Sequence, residues 1–165
     1  MNDILIETCN YIYKNPGLSK YRYIKDMYNR SIWRYSNVED CVDYLSQTGV
    51  LRECKKYSSL YSKEYLSLDV NIIEYIKFYN PKFNDDVFVN ILTYIFNHPK
   101  KSCKTYESNF SNMFKDDNIN EIYLNCFLKL KNNSVLRLKR EYFNNYKYYG
   151  LKIDFYQLKN FIINN

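Results

Sequence analysis

A chain of 165 residues suffices for one domain or for two small ones, each near the lower size at which a core sustains a fold. Hydrophobic residues make up 46% of it and aromatics 19%, which excludes intrinsic disorder, and a net charge of +6 is mild beside that of histone-like or ribosomal proteins. No run of about 18 apolar residues is present, the first ten residues lack the basic start of a secretion signal, and five cysteines with one histidine show no metal-ligand spacing. The expectation is a soluble intracellular protein, cytoplasmic or nuclear, without metal or cofactor. Ala is absent while Asn, Lys, Ile and Tyr abound, as in an AT-rich coding sequence, and that bias inflates both the basic and the aromatic signal.

In chain order, a first helix carries Leu5, Cys9 and Ile12 at helical spacing, with Asp3 where an N-cap belongs, and ends before Pro16. A shorter helix is predicted over roughly 19–30. The third helix has the clearest stripe, Val38, Cys41, Val42 and Leu45, preceded by Ser36 and Glu39 in capping-box spacing. The period then changes: residues 50–54 and 65–68 read as two short strands around a polar loop, followed by a helix near 70–79.

The same pattern then starts again. Tyr11 to Pro16 matches Tyr94 to Pro99 at an offset of 83 residues, and Phe88, Leu92 and Ile95 supply the stripe behind Asp85 as N-cap. A second helix is predicted over 103–114, a third with Tyr123, Cys126, Phe127 and Leu130, strands at 135–140 and 148–153, and a last helix at 155–163. Val50-Leu51-Arg52 meets Val135-Leu136-Arg137, and Leu66 to Asp69 is aligned with Leu151 to Asp154, both after a two-residue insertion. The predicted fold class is mainly α with small β-hairpins (α+β), built by internal duplication from repeats at 1–83 and 84–165. Cys41 and Cys126 are expected in the cores, as thiols of a reducing compartment.

Three helices followed by a hairpin, used twice, resembles the winged-helix superfamily, and the duplication resembles its tandem members. Those include ESCRT-II subunits, the C-terminal half of a telomere protein, TFIIE and a peripheral subunit of RNA polymerase III. The resemblance lies in element order and apolar spacing. It implies recognition without catalysis, through the third helix, the hairpin (the wing), or both.

No catalytic residue is expected. His98 is assigned to the end of its helix, where an imidazole meets the last carbonyls, and Gly17, Gly49 and Gly150 to turns or helix ends. The expected partners are nucleic acid (RNA or DNA), protein subunits of a larger complex, or both, with no small-molecule substrate and no membrane span. The first repeat's third helix carries Glu39, Asp40 and Asp43, which repel phosphates, so with Tyr44 it is assigned to a protein partner.

Candidate nucleic-acid contacts in the first repeat are Lys20, Arg22, Lys25, Arg30 and Arg34, near Trp33, with Lys55 and Lys56 on the wing. In the second they are Lys129 and Lys131 ending the third helix, and Arg137, Lys139, Arg140, Tyr146 and Lys147 around the wing, among Tyr142, Phe143, Tyr148 and Tyr149. Cations interleaved with rings suit single-stranded or looped RNA. The competing reading is a solvated wing whose tyrosines reflect codon usage, with the chain serving as an assembly subunit.

Overall fold

The computed structural model describes residues 2–30 and 34–165, so Trp33 lies outside the described residues. The chain divides into two compact units, Met1–Phe78 and Tyr79–Asn165. The division falls five residues before the expected one. Asn80 donates to the Ile162 carbonyl at 2.6 Å and Phe83 packs on Phe88 at 4.9 Å, so residues 79–83 belong to the second unit.

Unit one contains α1 (Asn2–Lys14), α2 (Lys20–Arg30), α3 (Tyr35–Gln47), the hairpin β1 (Leu51–Ser58) and β2 (Lys63–Val70), and α4 (Ile72–Tyr79), whose last residue crosses the division. Unit two repeats the order with α5 (Asp86–Asn97), α6 (Cys103–Ser111), α7 (Asp117–Asn132), β3 (Leu136–Phe143), β4 (Tyr146–Ile153) and α8 (Phe155–Asn164). Each hairpin is antiparallel. The architecture is mixed α and β, and no described helix is long and apolar enough to cross a membrane.

The apolar stripes form the cores. Leu5, Cys9, Ile12, Val38, Cys41, Val42 and Leu45 are buried in unit one, and Phe88, Leu92, Ile95, Tyr123, Phe127 and Leu130 in unit two. Cys126 is only partly buried. Rings fill the second core: Phe110 lies 5.4 Å from Tyr94 and 5.3 Å from Phe127, and Phe161 stacks on Phe88 at 5.1 Å.

Two caps differ from expectation. Asp85 accepts from the Phe88 N–H as an N-cap, but Asp3 lies inside α1, in its first turn, where its negative charge favours the positive end of the helix dipole. In α3 the extended cap conformation falls at Arg34, which makes no side-chain cap bond. Ser36 is therefore already helical, and its capping box with Glu39 does not form.

A buried tyrosine joins the helices to each hairpin. The Tyr23 hydroxyl donates to the Asn15 carbonyl at 2.7 Å and accepts from the Leu18 N–H at 3.2 Å; the Tyr106 hydroxyl donates to the His98 carbonyl at 2.5 Å. The chain then turns through a positive φ, at Gly17 in unit one and at Lys100 in unit two. Immediately after, Ser19 bridges to Ser67 of β2, and Ser102 to Gly150 of β4. Gly150 is thus a strand residue, not a turn. A Cβ there would stand 3.2 Å from Glu141 Cγ, so a side chain at this position would press on the Glu141 stem, while the Lys100 backbone at 3.4 Å would be in ordinary contact.

The hairpins also shift the alignment. The first closes through residues 59–62 and the second through Asn144 and Asn145 alone, so β2 and β4 are equivalent at an offset of 83, with Ser67 matching Gly150. At each hairpin root the N–H of Asn71 or Asp154 donates to the Val50 or Val135 carbonyl at 2.8 Å.

Leu45 and Leu130 are fully enclosed. Changing either to Ala should lower the unfolding free energy in urea by about 2–5 kcal/mol. Gly49 and its equivalent Ser134 both take positive φ, 80° and 60°. In the same assay Gly49→Ala should cost about 1–2 kcal/mol, while Ser134→Gly should cost nothing or add up to about 1 kcal/mol.

Candidate nucleic-acid interface

Opposed residues of an antiparallel pair share a face, and successive residues alternate. The register of the second hairpin therefore sorts its side chains in two. One face carries the pairs Leu136/Ile153, Leu138/Leu151, Arg140/Tyr149 and Tyr142/Lys147; the other carries Arg137/Lys152, Lys139/Gly150, Glu141/Tyr148 and Phe143/Tyr146.

At the root of the first face Leu136, Leu151 and Ile153 are buried in the core. Towards the turn the same face emerges into solvent, with Leu138 63%, Tyr142 66% and Tyr149 50% exposed beside the exposed Arg140 and Lys147. The Lys147 ammonium lies 5.6 Å from the Tyr149 ring centroid, a cation–π contact. No carboxylate stands on this face. Glu141, on the opposite face, is held by Lys152 at 3.2 Å, with both side chains only 13% exposed.

The structure brings together only part of the predicted set. Arg137 pairs with Asp154 at 3.1 Å, Lys139 points to the face opposite Arg140, and Tyr146, 80% exposed, stands at the tip beside Phe143 on that second face. Lys129 covers the Phe161 ring at 5.3 Å. Lys131 lies 3.5 Å from both Glu107 and the Cys103 sulfur, and these contacts hold its pKa above the ordinary value. Leu138 is the exposed member of the face that charge and aromatic patterns do not single out. The alternation running from Leu136 is the signal that finds it.

In unit one three of the seven candidate basic residues are engaged. Lys20 bridges Asp43 and Glu53, each at 3.1 Å. Burial works to lower its pKa, but the two carboxylates outweigh burial and raise it. Arg22 pairs with Asp26 at 2.8 Å and holds that carboxyl below its ordinary value, and Arg30 lies 5.6 Å from the Tyr11 ring centroid. Lys25, Arg34, Lys55 and Lys56 are exposed. The hairpin positions equivalent to Leu138, Arg140, Tyr142, Lys147 and Tyr149 are Glu53, Lys55, Tyr57, Glu64 and Leu66, a face of mixed charge.

On α3, Glu39, Asp40 and Tyr44 are exposed, with the Tyr44 ring edge-on to Phe78 at 6.0 Å. His98 accompanies the end of α5, its Nδ1 3.0 Å from the Tyr94 carbonyl and its ring stacked on Tyr94. Among the described residues no group of three or more His, Cys, Asp or Glu is placed to hold a metal ion.

The Lys20 bridge supplies a pH-dependent test. A lysine whose folded pKa is raised contributes stability that is full below the unfolded value, about 10.4, and is lost as pH rises through the folded one. All three partners are partly exposed, so Lys20→Met should cost under about 1 kcal/mol at pH 7. Paired urea titrations should show that difference shrinking above the ordinary lysine range.

Compared with protein-family models, with curated proteins and with solved structures, the chain matches none.

Proposed function

We propose that this chain is a non-catalytic binding protein of tandem winged-helix architecture, whose second unit contacts nucleic acid within a larger assembly such as a transcription, telomere or ribosome-bound complex. The fold part of the reading is supported by the shared order of both units: three helices, a hairpin and a closing helix. The functional part is carried by one observation. The outer half of one β3–β4 face joins Arg140 and Lys147 to exposed rings with no carboxylate among them.

The magnitudes favour this face over the cations already paired with carboxylates. An arginine or lysine already paired to a carboxylate must lose that partner before it neutralises a phosphate, and its net contribution falls accordingly. Lys20, Arg22, Lys131 and Arg137 are in that position, whereas Arg140 and Lys147 face none. Each phosphate neutralised contributes about 0.7 to 0.9 units to the slope of log affinity against log salt.

A second reading is favoured by α3, where exposed Glu39 and Asp40 stand with Tyr44 on a surface suited to a basic protein partner. In that reading the chain is an assembly subunit, like those of ESCRT-II, and the second hairpin only keeps it soluble.

Fluorescence anisotropy of labelled RNA and DNA across about 50 to 200 mM salt separates the two. Arg140→Gln with Lys147→Gln should flatten the log–log slope by about 1.4 to 1.8 units, while Arg137→Gln should change it by much less. An unchanged slope in the double variant removes this face from the site, and absence of binding leaves the assembly reading.

A further inference from the structure

The arrangement on the exposed β3–β4 face says which form of nucleic acid suits it. Arg140 stands opposite Tyr149 and Tyr142 opposite Lys147, so cations and rings alternate at the four corners of one patch. Each ring has a cation across the ladder, with Cβ atoms about 5 Å apart, and another two residues along its own strand, with backbone positions about 7 Å apart. We propose that this patch is a subsite for single-stranded nucleic acid, in which Tyr142 and Tyr149 stack two bases while Arg140 and Lys147 hold the flanking phosphates; the proposal rests on the nucleic-acid reading above.

Duplex binding asks for different side chains. Within a duplex the faces of the bases are covered by their neighbours, and a protein reads the edges with amide, hydroxyl or bidentate donors. Arg140 is the one bidentate donor on this face, and no Asn, Gln, Ser or Thr joins it between Leu136 and Ile153. It offers ring surface, which is of use only to bases free of a stack. The rings are exposed, 66% for Tyr142 and 50% for Tyr149, and Leu138 continues the apolar floor towards the core.

The cations are placed to work with the rings. Lys147 already lies over the Tyr149 ring, so a base arriving there takes the ring face while the ammonium turns to its phosphate. Glu141, the acidic residue of β3, is turned to the other face and neutralised by Lys152, so it does not oppose a phosphate here. The equivalent face of the first hairpin carries Glu53 and Glu64 among its members and lacks a second ring, which confines the proposal to unit two.

The test uses the full chain with three labelled probes at about 50 mM salt: a short oligouridine, the same backbone without bases, and a duplex of matched length. The oligouridine is expected to bind about tenfold or more tighter than either other probe. Tyr142→Leu and Tyr149→Leu should each weaken oligouridine binding about fivefold or more with the salt slope unchanged, and Tyr57→Leu, on the first hairpin, should leave it as it was. Near-identical circular dichroism of the variants excludes loss of fold as the cause. Duplex binding at least as tight, or tyrosine variants equal to the unmodified chain, overturns the single-strand assignment alone. Failure of all three probes to bind overturns the nucleic-acid reading with it.

Discussion

Each unit depends on one buried hydroxyl. Tyr23 or Tyr106 of the second helix reaches the carbonyl just beyond the first helix, at Asn15 or His98. A hydroxyl left unpaired on a ring as buried as these would cost about 1–3 kcal/mol, so the tyrosine favours the turn at this point. The turn then runs through a left-handed residue into Ser19 or Ser102, which makes a single bridge to the second strand of the hairpin. Without that sequence of contacts a two-stranded hairpin has little to hold it, since isolated hairpins are marginal in water. The second hairpin, which carries the candidate interface, is thus anchored through the same turn that the His98 carbonyl bond holds.

The two units use the same frame with different fillings. Ile and Leu residues make up much of the first core, whereas Phe88, Phe110, Phe127, Phe155 and Tyr106 make up much of the second. Their surfaces diverge further. Carboxylates in the first unit meet its cations, as in Lys20 with Asp43 and Glu53, and leave its hairpin mixed in charge. The second unit turns its hairpin carboxylate to the opposite face and leaves two cations with rings. One frame presents an acidic helix, the other a cationic hairpin face.

Much of the helical layer is legible in the sequence because burial has the period of the helix: Val38, Cys41, Val42 and Leu45 are both the stripe and the core. What escapes is set by distant parts of the chain. Ser36 has the chemistry of a cap, yet α3 has already begun at Tyr35. Gly150 looks like a turn residue, but it lies within β4, bridged to Ser102 and close against the Glu141 side chain. The candidate site is legible as composition and not as geometry. Arg137, Lys139, Arg140 and Lys147 are close in sequence, and only the hairpin register separates Arg140 and Lys147 from the other two. Nor does the sequence tell that Lys20 finds Asp43 and Glu53, because those partners lie 23 and 33 residues away.

The register of the second hairpin is itself fixed by two residues. Asn144 and Asn145 both take positive φ, 46° and 65°, the requirement of the tight turn whose twist matches that of paired strands. Asparagine tolerates this conformation better than most side chains. The first hairpin, with a four-residue connection, has more ways to close. A face built on a two-residue turn is preorganised: the spacing of its four corner side chains is set during folding, and a ligand that meets it loses little further backbone entropy to bring them into line.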